Sequence, residues 1–132
     1  MRFNGHNLLA ILVAAIAIYL LEFVIFALII SAEQYQAMVG VTADQLHPER
    51  MAFGILPPLL GAIGISLAVK WRNATGLMAG AMTGVWMGLL LALAGSLYGF
   101  VYGPNMETLV AVNVGHFAVC YGVAGGILGA WK

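Results

Sequence analysis

Four long apolar runs dominate this chain, at roughly Leu8–Ile30, Met51–Val69, Gly76–Tyr98 and Leu109–Trp131. A helix crosses the hydrocarbon core of a bilayer with about 20 apolar residues, so each run is long enough to span it. Composition closes the alternative of a water-soluble fold. Only 8% of the 132 residues are Asp, Glu, Lys or Arg against 63% AVILMFWYC, with a mean hydropathy of +1.00, whereas a soluble domain carries roughly 25% charged residues. The expected architecture is all-α: a four-helix transmembrane bundle forming one integral membrane domain over residues 1–132. Between the runs lie a hydrophilic connection, Ser31–Arg50, a tight turn at Lys70–Thr75 and a Gly/Pro/Asn turn near Gly99–Asn105, none of them large enough for a separate soluble domain.

Five basic and five acidic side chains cancel, which leaves no electrostatic footprint for nucleic acid; the expected partners are the lipid bilayer and other apolar surfaces. Arg2, Lys70, Arg72 and Lys132 fall on one side of the four-span arrangement, while the other side holds only Arg50 beside Glu33, Asp44, Glu49 and Glu107. Basic residues in short loops stay cytoplasmic, so both termini are expected inside. Trp71 and Trp131 mark the inner interface, and Tyr98 and Tyr102 the outer one. The apolar run after Met1-Arg2 exceeds a signal-peptide core of about 7–15 residues and lacks a small-x-small cleavage site, so it reads as a retained first helix. The single cysteine, Cys120, lies inside the fourth run, excludes an intrachain disulfide and says nothing of the redox compartment. Asn73-Ala-Thr75 matches a glycosylation acceptor, but its expected cytoplasmic side makes it irrelevant.

Gly76, Gly80, Gly84 and Gly88 recur every fourth residue along the third span. Residues at that spacing share one helix face, and without side chains they let a second helix approach to backbone contact. The fourth span has a small-residue face at Ala118, Gly122, Gly126 and Ala130, flanked by Gly115, Gly125 and Gly129. These faces can meet inside one bundle or between protomers, and a homo-oligomer is the favoured expectation. Pro57-Pro58 predicts a kink or broken turn in the second span, read as packing relief rather than the wall of a substrate cavity. In the outer connection, Ser31-Ala-Glu-Gln34 and Thr42-Ala-Asp-Gln45 have capping-box spacing. They suggest either two short interfacial helices broken at Gly40 or an irregular hydrated loop.

Nine of the ten charged residues lie at or near the expected membrane edges; Glu22 lies well inside the first span. An acid at that depth costs about 2.5–3.5 kcal/mol on insertion scales, so it should face the bundle interior, protonated or paired. Counting about 1.5 Å per residue puts Glu22 roughly 21 Å above Leu8, and the antiparallel fourth span brings His116 to nearly the same height. Asn113, His116 and Cys120, spaced i, i+3 and i+7, fall on one stripe of that span, opposite its glycine face. Tyr19 precedes Glu22 by one turn and can hydrogen-bond into the cluster. The candidate constellation of Glu22, Tyr19, Asn113, His116 and Cys120 has three readings. It is a structural polar pair fixing helix register, a proton shuttle or cation site, or a ligand set for a metal or haem. One deep histidine makes bis-histidine haem binding within the chain a poor fit. No nucleotide-binding loop, nucleophile elbow or paired-carboxylate motif occurs, and the glycines of the third span are not a phosphate cradle because they lie within a helix.

Three segments resemble a known family. They are Tyr35-x4-Gly40-Val-Thr42 after the first helix, Gly80-x3-Gly84-x-Trp86-x-Gly88 in the third span, and the closing Gly125-Gly126-Ile-Leu-Gly129-Ala-Trp131. Together with the long first helix they resemble the small four-span bacterial membrane proteins of the domain-of-unknown-function 1761 family. The chain departs from that pattern at Ile25-Phe26, where members show Trp-Tyr, and at Glu22, where a small residue is usual. The resemblance implies a helical bundle in the bacterial inner membrane and no established activity. The expected function is a non-enzymatic accessory or scaffolding subunit of a homo-oligomer or larger membrane complex, without a cofactor. The alternative is a small homo-oligomeric carrier or channel using Glu22 and His116.

Overall fold

The computed structural model describes residues 2–45 and 47–131, and of Arg2 the backbone only. Lys132, one of the basic residues assigned to the inner side, lies outside the described residues. The chain opens with a minimal antiparallel hairpin, β1 (Arg2–Phe3) and β2 (His6–Asn7), pairing Arg2 with Asn7 and Phe3 with His6. Its turn uses left-handed backbone at Asn4 (φ 47°) and Gly5 (φ 79°); asparagine and glycine tolerate that conformation best. Asn7 then caps α1 (Leu8–Phe23), its Oδ1 accepting from the Ala10 amide at 3.4 Å.

The first span continues beyond α1 as a π-helical segment, Val24–Ile29, so that it runs unbroken from Leu8 to Ile29. The hydrophilic connection follows. Ser31 and Gln34 form a reciprocal capping box that starts α2 (Ala32–Val39), and Gly40, at φ 70°, ends it in the left-handed conformation. At the second box the Gln45 side chain accepts from the Thr42 amide at 2.9 Å, and the segment closes only a three-residue 3-10 turn, Ala43–Gln45. The Thr42 hydroxyl hydrogen-bonds Asp44 and holds its carboxyl below the usual aspartate range.

The expected kink or broken turn at Pro57-Pro58 takes the form of a break at Gly54-Ile55, just before the prolines, within the span Pro48–Trp71. A 3-10 segment, Pro48–Phe53, precedes the helix, and α3 (Leu56–Trp71) begins with both prolines in its first turn. There the absent N–H groups have no intrahelical partner to lose, so proline starts the helix rather than bending it. The third span is also shifted. Helix α4 runs from Leu77 to Tyr102, about 39 Å at 1.5 Å per residue. It passes through Gly99, which sequence reading assigned to a turn, and stops only before Gly103-Pro104. Gly76 lies outside the helix as its N-cap, at φ 88°, and donates to the Gly129 carbonyl at 2.9 Å. Helix α5 (Glu107–Ala130) completes the set. All four spans are long and apolar enough to cross a membrane.

Helix α5 packs against α4, α1 and α3 and forms the axis of the bundle. Its closest approach is to α4. A Cβ added at Gly80 would overlap the Gly125 carbonyl, at Gly84 the Tyr121 carbonyl, and at Gly88 the Phe117 carbonyl. The shared core of α1, α3 and α5 is built from small side chains around a few larger ones: Ala10, Ala14, Ile18, Ala62, Ile65, Cys120, Ala124 and Leu128. The bulky Leu12, Leu20, Leu60 and Leu90 point outward. Small residues inside and large apolar residues outside suit helices packed in lipid, where packing rather than water exclusion joins them.

The two ends of the bundle differ. At one end Asn7 Nδ2 donates to the Trp131 carbonyl at 3.2 Å and Lys70 Nζ donates to the Asn4 carbonyl, tying together the hairpin, the end of α3 and the end of α5. Arg72 donates to the Thr83 hydroxyl at 3.0 Å, which fastens the same turn to α4. At the opposite end the Met106 amide donates to the Met38 carbonyl at 3.0 Å, joining α2 to the start of α5.

Candidate functional site

Glu22 is 14 residues beyond Leu8 on α1, and His116 is 14 residues before Ala130 on antiparallel α5. Their side chains meet, with His116 Nε2 3.4 Å from Glu22 Oε1. The histidine is almost fully enclosed, its side chain 7% exposed, while that of Glu22 is 24% exposed. This approach has the distance of an ion pair without the alignment of a hydrogen bond, and neither ring nitrogen of His116 has a hydrogen-bond partner among the described residues. A buried polar group in that condition costs about 1–3 kcal/mol and therefore calls for a physical reason.

Aromatic rings enclose the imidazole. Phe26, in the π-helical segment above Glu22, meets it edge-on with centroids 4.9 Å apart, and Phe117 lies at 4.6 Å. The set extends outward through Phe26 to Tyr35 at 5.3 Å and inward through Phe117 to Tyr121 at 5.1 Å. Apolar rings shield His116 from water, which strengthens its electrostatic coupling to the carboxyl beside it.

Glu22 has access to open space that His116 lacks. It lines a cavity of about 390 Å3 between all four spans, together with Pro57, Gly61, Met87, Leu91 and Tyr121. Gly61 makes room for the phenol, since a Cβ there would lie 3.0 Å from the Tyr121 hydroxyl. Leu91, Phe117 and Tyr121 also line a second cavity of about 360 Å3 containing Ser96, Asn105 and Asn113. Polar side chains thus continue from the pair toward the turn that joins α4 and α5.

The other members of the expected constellation make no hydrogen bond to this pair among the described residues. Asn113 turns to α4 and donates to Ser96 Oγ at 3.2 Å. Tyr19 is 46% exposed on the surface of α1 and makes no side-chain hydrogen bond to Glu22 among the described residues. Cys120 is fully buried in the alanine-rich core. Among the described residues no three His, Cys, Asp or Glu side chains gather into a group able to hold a metal ion, so Glu22, His116 and Cys120 do not form the ligand set considered from sequence.

Of the expected packing glycines, Gly80, Gly84 and Gly88 lie against the α5 backbone, and Gly122 faces Val85. Gly126 has only ordinary contacts near Ala81, and Gly76 has nothing within 4 Å of a built Cβ. Gly125 and Gly129, placed beside the face in the sequence reading, make the closer approach to α4. Sequence reasoning missed Phe26, Phe117 and Tyr121. The available signal was spacing: Phe26 follows Glu22 by four residues, and Phe117 and Tyr121 are themselves four apart.

The fold and site define an all-helical chain with four helices able to cross a membrane and one acid–imidazole pair among them. No family model, curated protein or solved structure matches it.

Proposed function

We propose that this protein handles protons within a membrane, with the Glu22–His116 pair as the proton-exchanging centre. The carrying observation is an enclosed imidazole with no aligned hydrogen-bond partner, 3.4 Å from a carboxyl that reaches a cavity. A purely structural pair would gain most by aligning its hydrogen bond. A pair that exchanges a proton needs instead a close approach and an accessible partner. The Glu22 carboxyl gives its proton to His116 Nε2, leaving carboxylate and imidazolium; the reverse transfer restores two neutral groups. Both forms of the pair have zero net charge, which avoids placing a lone charge in hydrocarbon. A proton from the cavity beside Tyr121 adds to the Glu22 carboxylate of the ion-pair form and gives a transient singly cationic pair, which returns to neutrality when a proton leaves Glu22 to the same cavity.

In this reading the chain is a non-enzymatic inner-membrane protein with both termini cytoplasmic. The basic residues Lys70 and Arg72 at the end shared by the termini support that orientation. It acts as a small carrier or as the proton-handling subunit of a larger membrane complex. The apolar groove of Leu77, Ala81, Val85, Ala118, Gly122 and Gly126 between α4 and α5 supports such an association. A relation to the four-span domain-of-unknown-function 1761 proteins is part of this proposal and adds no activity to it.

Infrared difference spectroscopy of the protein in lipid, across a change of pH, tests the pair. A carboxyl C=O band should change in the wild type, vanish in Glu22→Gln and shift in His116→Phe. Identical spectra for wild type and Glu22→Gln would remove Glu22 from the proton-handling centre.

A further inference from the structure

At the end of the bundle opposite the acidic connection, the hairpin, α3 and α5 enclose a cavity of about 250 Å3 lined by His6, Asn7, Ser66, Lys70, Asn73 and Trp131. Its polar groups are oriented by one another. His6 Nδ1 is 2.8 Å from Ser66 Oγ, and Ser66 is only 7% exposed. That contact leaves His6 Nε2 available. Lys70 gives one donor to the Asn4 carbonyl; an ammonium has three, so two remain. Gly5, at φ 79°, supplies the left-handed turn that sets the hairpin against Lys70 Nζ.

No carboxylate opposes this charge among the described residues. Glu22 lies mid-bundle against His116, and Glu33, Asp44, Glu49 and Glu107 belong to the opposite end. Among the described side chains, Arg72 is engaged by Thr83, and Lys70 is the ammonium that lines the cavity. Trp131, 43% exposed at the rim, is the residue type that settles at a lipid headgroup boundary. We infer that this cavity binds a phosphate group, through Lys70 Nζ, His6 Nε2 and the Asn73 amide. A basic pocket between spanning helices at headgroup depth is suited to a phospholipid headgroup, and the same donors fit free phosphate. This site is independent of the Glu22–His116 reading.

Native mass spectrometry of the full chain released from micelles containing phosphatidylglycerol or phosphatidylcholine separates the outcomes, with inorganic phosphate as a third probe in a thermal-shift measurement. The expected result is retention of one phosphatidylglycerol by the wild type and by Lys70→Arg, and its loss in Lys70→Gln, whose amide can still donate to the Asn4 carbonyl. His6→Gln, a second variant outside the core, should weaken retention as well. Stabilisation by inorganic phosphate without phosphatidylglycerol retention assigns the same donors to free phosphate. Binding of neither probe, or equal retention by wild type and both folded variants as judged by circular dichroism, overturns the site.

Discussion

Glu22 and His116 stand at one height because each lies 14 residues from the same end of the bundle, where Leu8 opens α1 and Ala130 closes α5. That part of the site was legible in the sequence: helix rise is constant, and a lone acid in an apolar run demands a partner. Tyr19 and Asn113 were not placed correctly, because spacing on one helix does not tell which neighbour each face meets. Asn113 finds Ser96 on α4, a pairing fixed by the rotation of two helices about their own axes. The aromatic enclosure escaped for the same reason. If the pair is energetically coupled, a double-mutant cycle with Glu22→Leu and His116→Leu should give a coupling energy of about 0.6–1.7 kcal/mol, the range for interhelical polar contacts in membranes. Reversible unfolding in lipid bicelles measures it, and additive effects of the two changes would show that the 3.4 Å approach carries no interaction.

At the level of elements, the four spans follow from length and hydropathy, while their ends follow from backbone chemistry that hydropathy does not sense. Pro57 and Pro58 start α3, and Gly99 is absorbed into α4 because one helical glycine costs only about 1 kcal/mol. The Ser31–Gln34 box was readable because both partners are local, whereas its counterpart at Thr42 yields a single turn. Glycines divide by what a methyl group would meet. Gly84→Ala drives a Cβ into the Tyr121 carbonyl and should destabilise the α4–α5 pair by about 1–3 kcal/mol. Gly64→Ala, with nothing within 4 Å, should be neutral or stabilising by up to about 1 kcal/mol. Thermal unfolding in the same lipid compares the two, and equal effects would argue against the close contact of α4 and α5.

Across the whole molecule, antiparallel spans bring both termini and the Lys70–Gly76 turn to one end, and α2 with its acidic neighbours to the other. The proposed polarity follows from that division of charge, which the sequence already carried. What sequence could not carry was the central position of α5, since four apolar helices of similar length can be arranged in several orders with the same loops. That position lets one chain enclose His116 with aromatic rings while Glu22 remains beside a cavity of about 390 Å3. Proton movement through the intact bundle is therefore the property on which the account rests. The decisive measurement is potential-driven acidification of sealed proteoliposomes containing an internal pH-sensitive dye. Proton exchange at Glu22 predicts protein-dependent proton uptake by the wild type, reduced uptake with Glu22→Asp, and uptake no greater than in protein-free vesicles with folded Glu22→Gln. Equal uptake by wild type and Glu22→Gln, or none by the wild type, would contradict it.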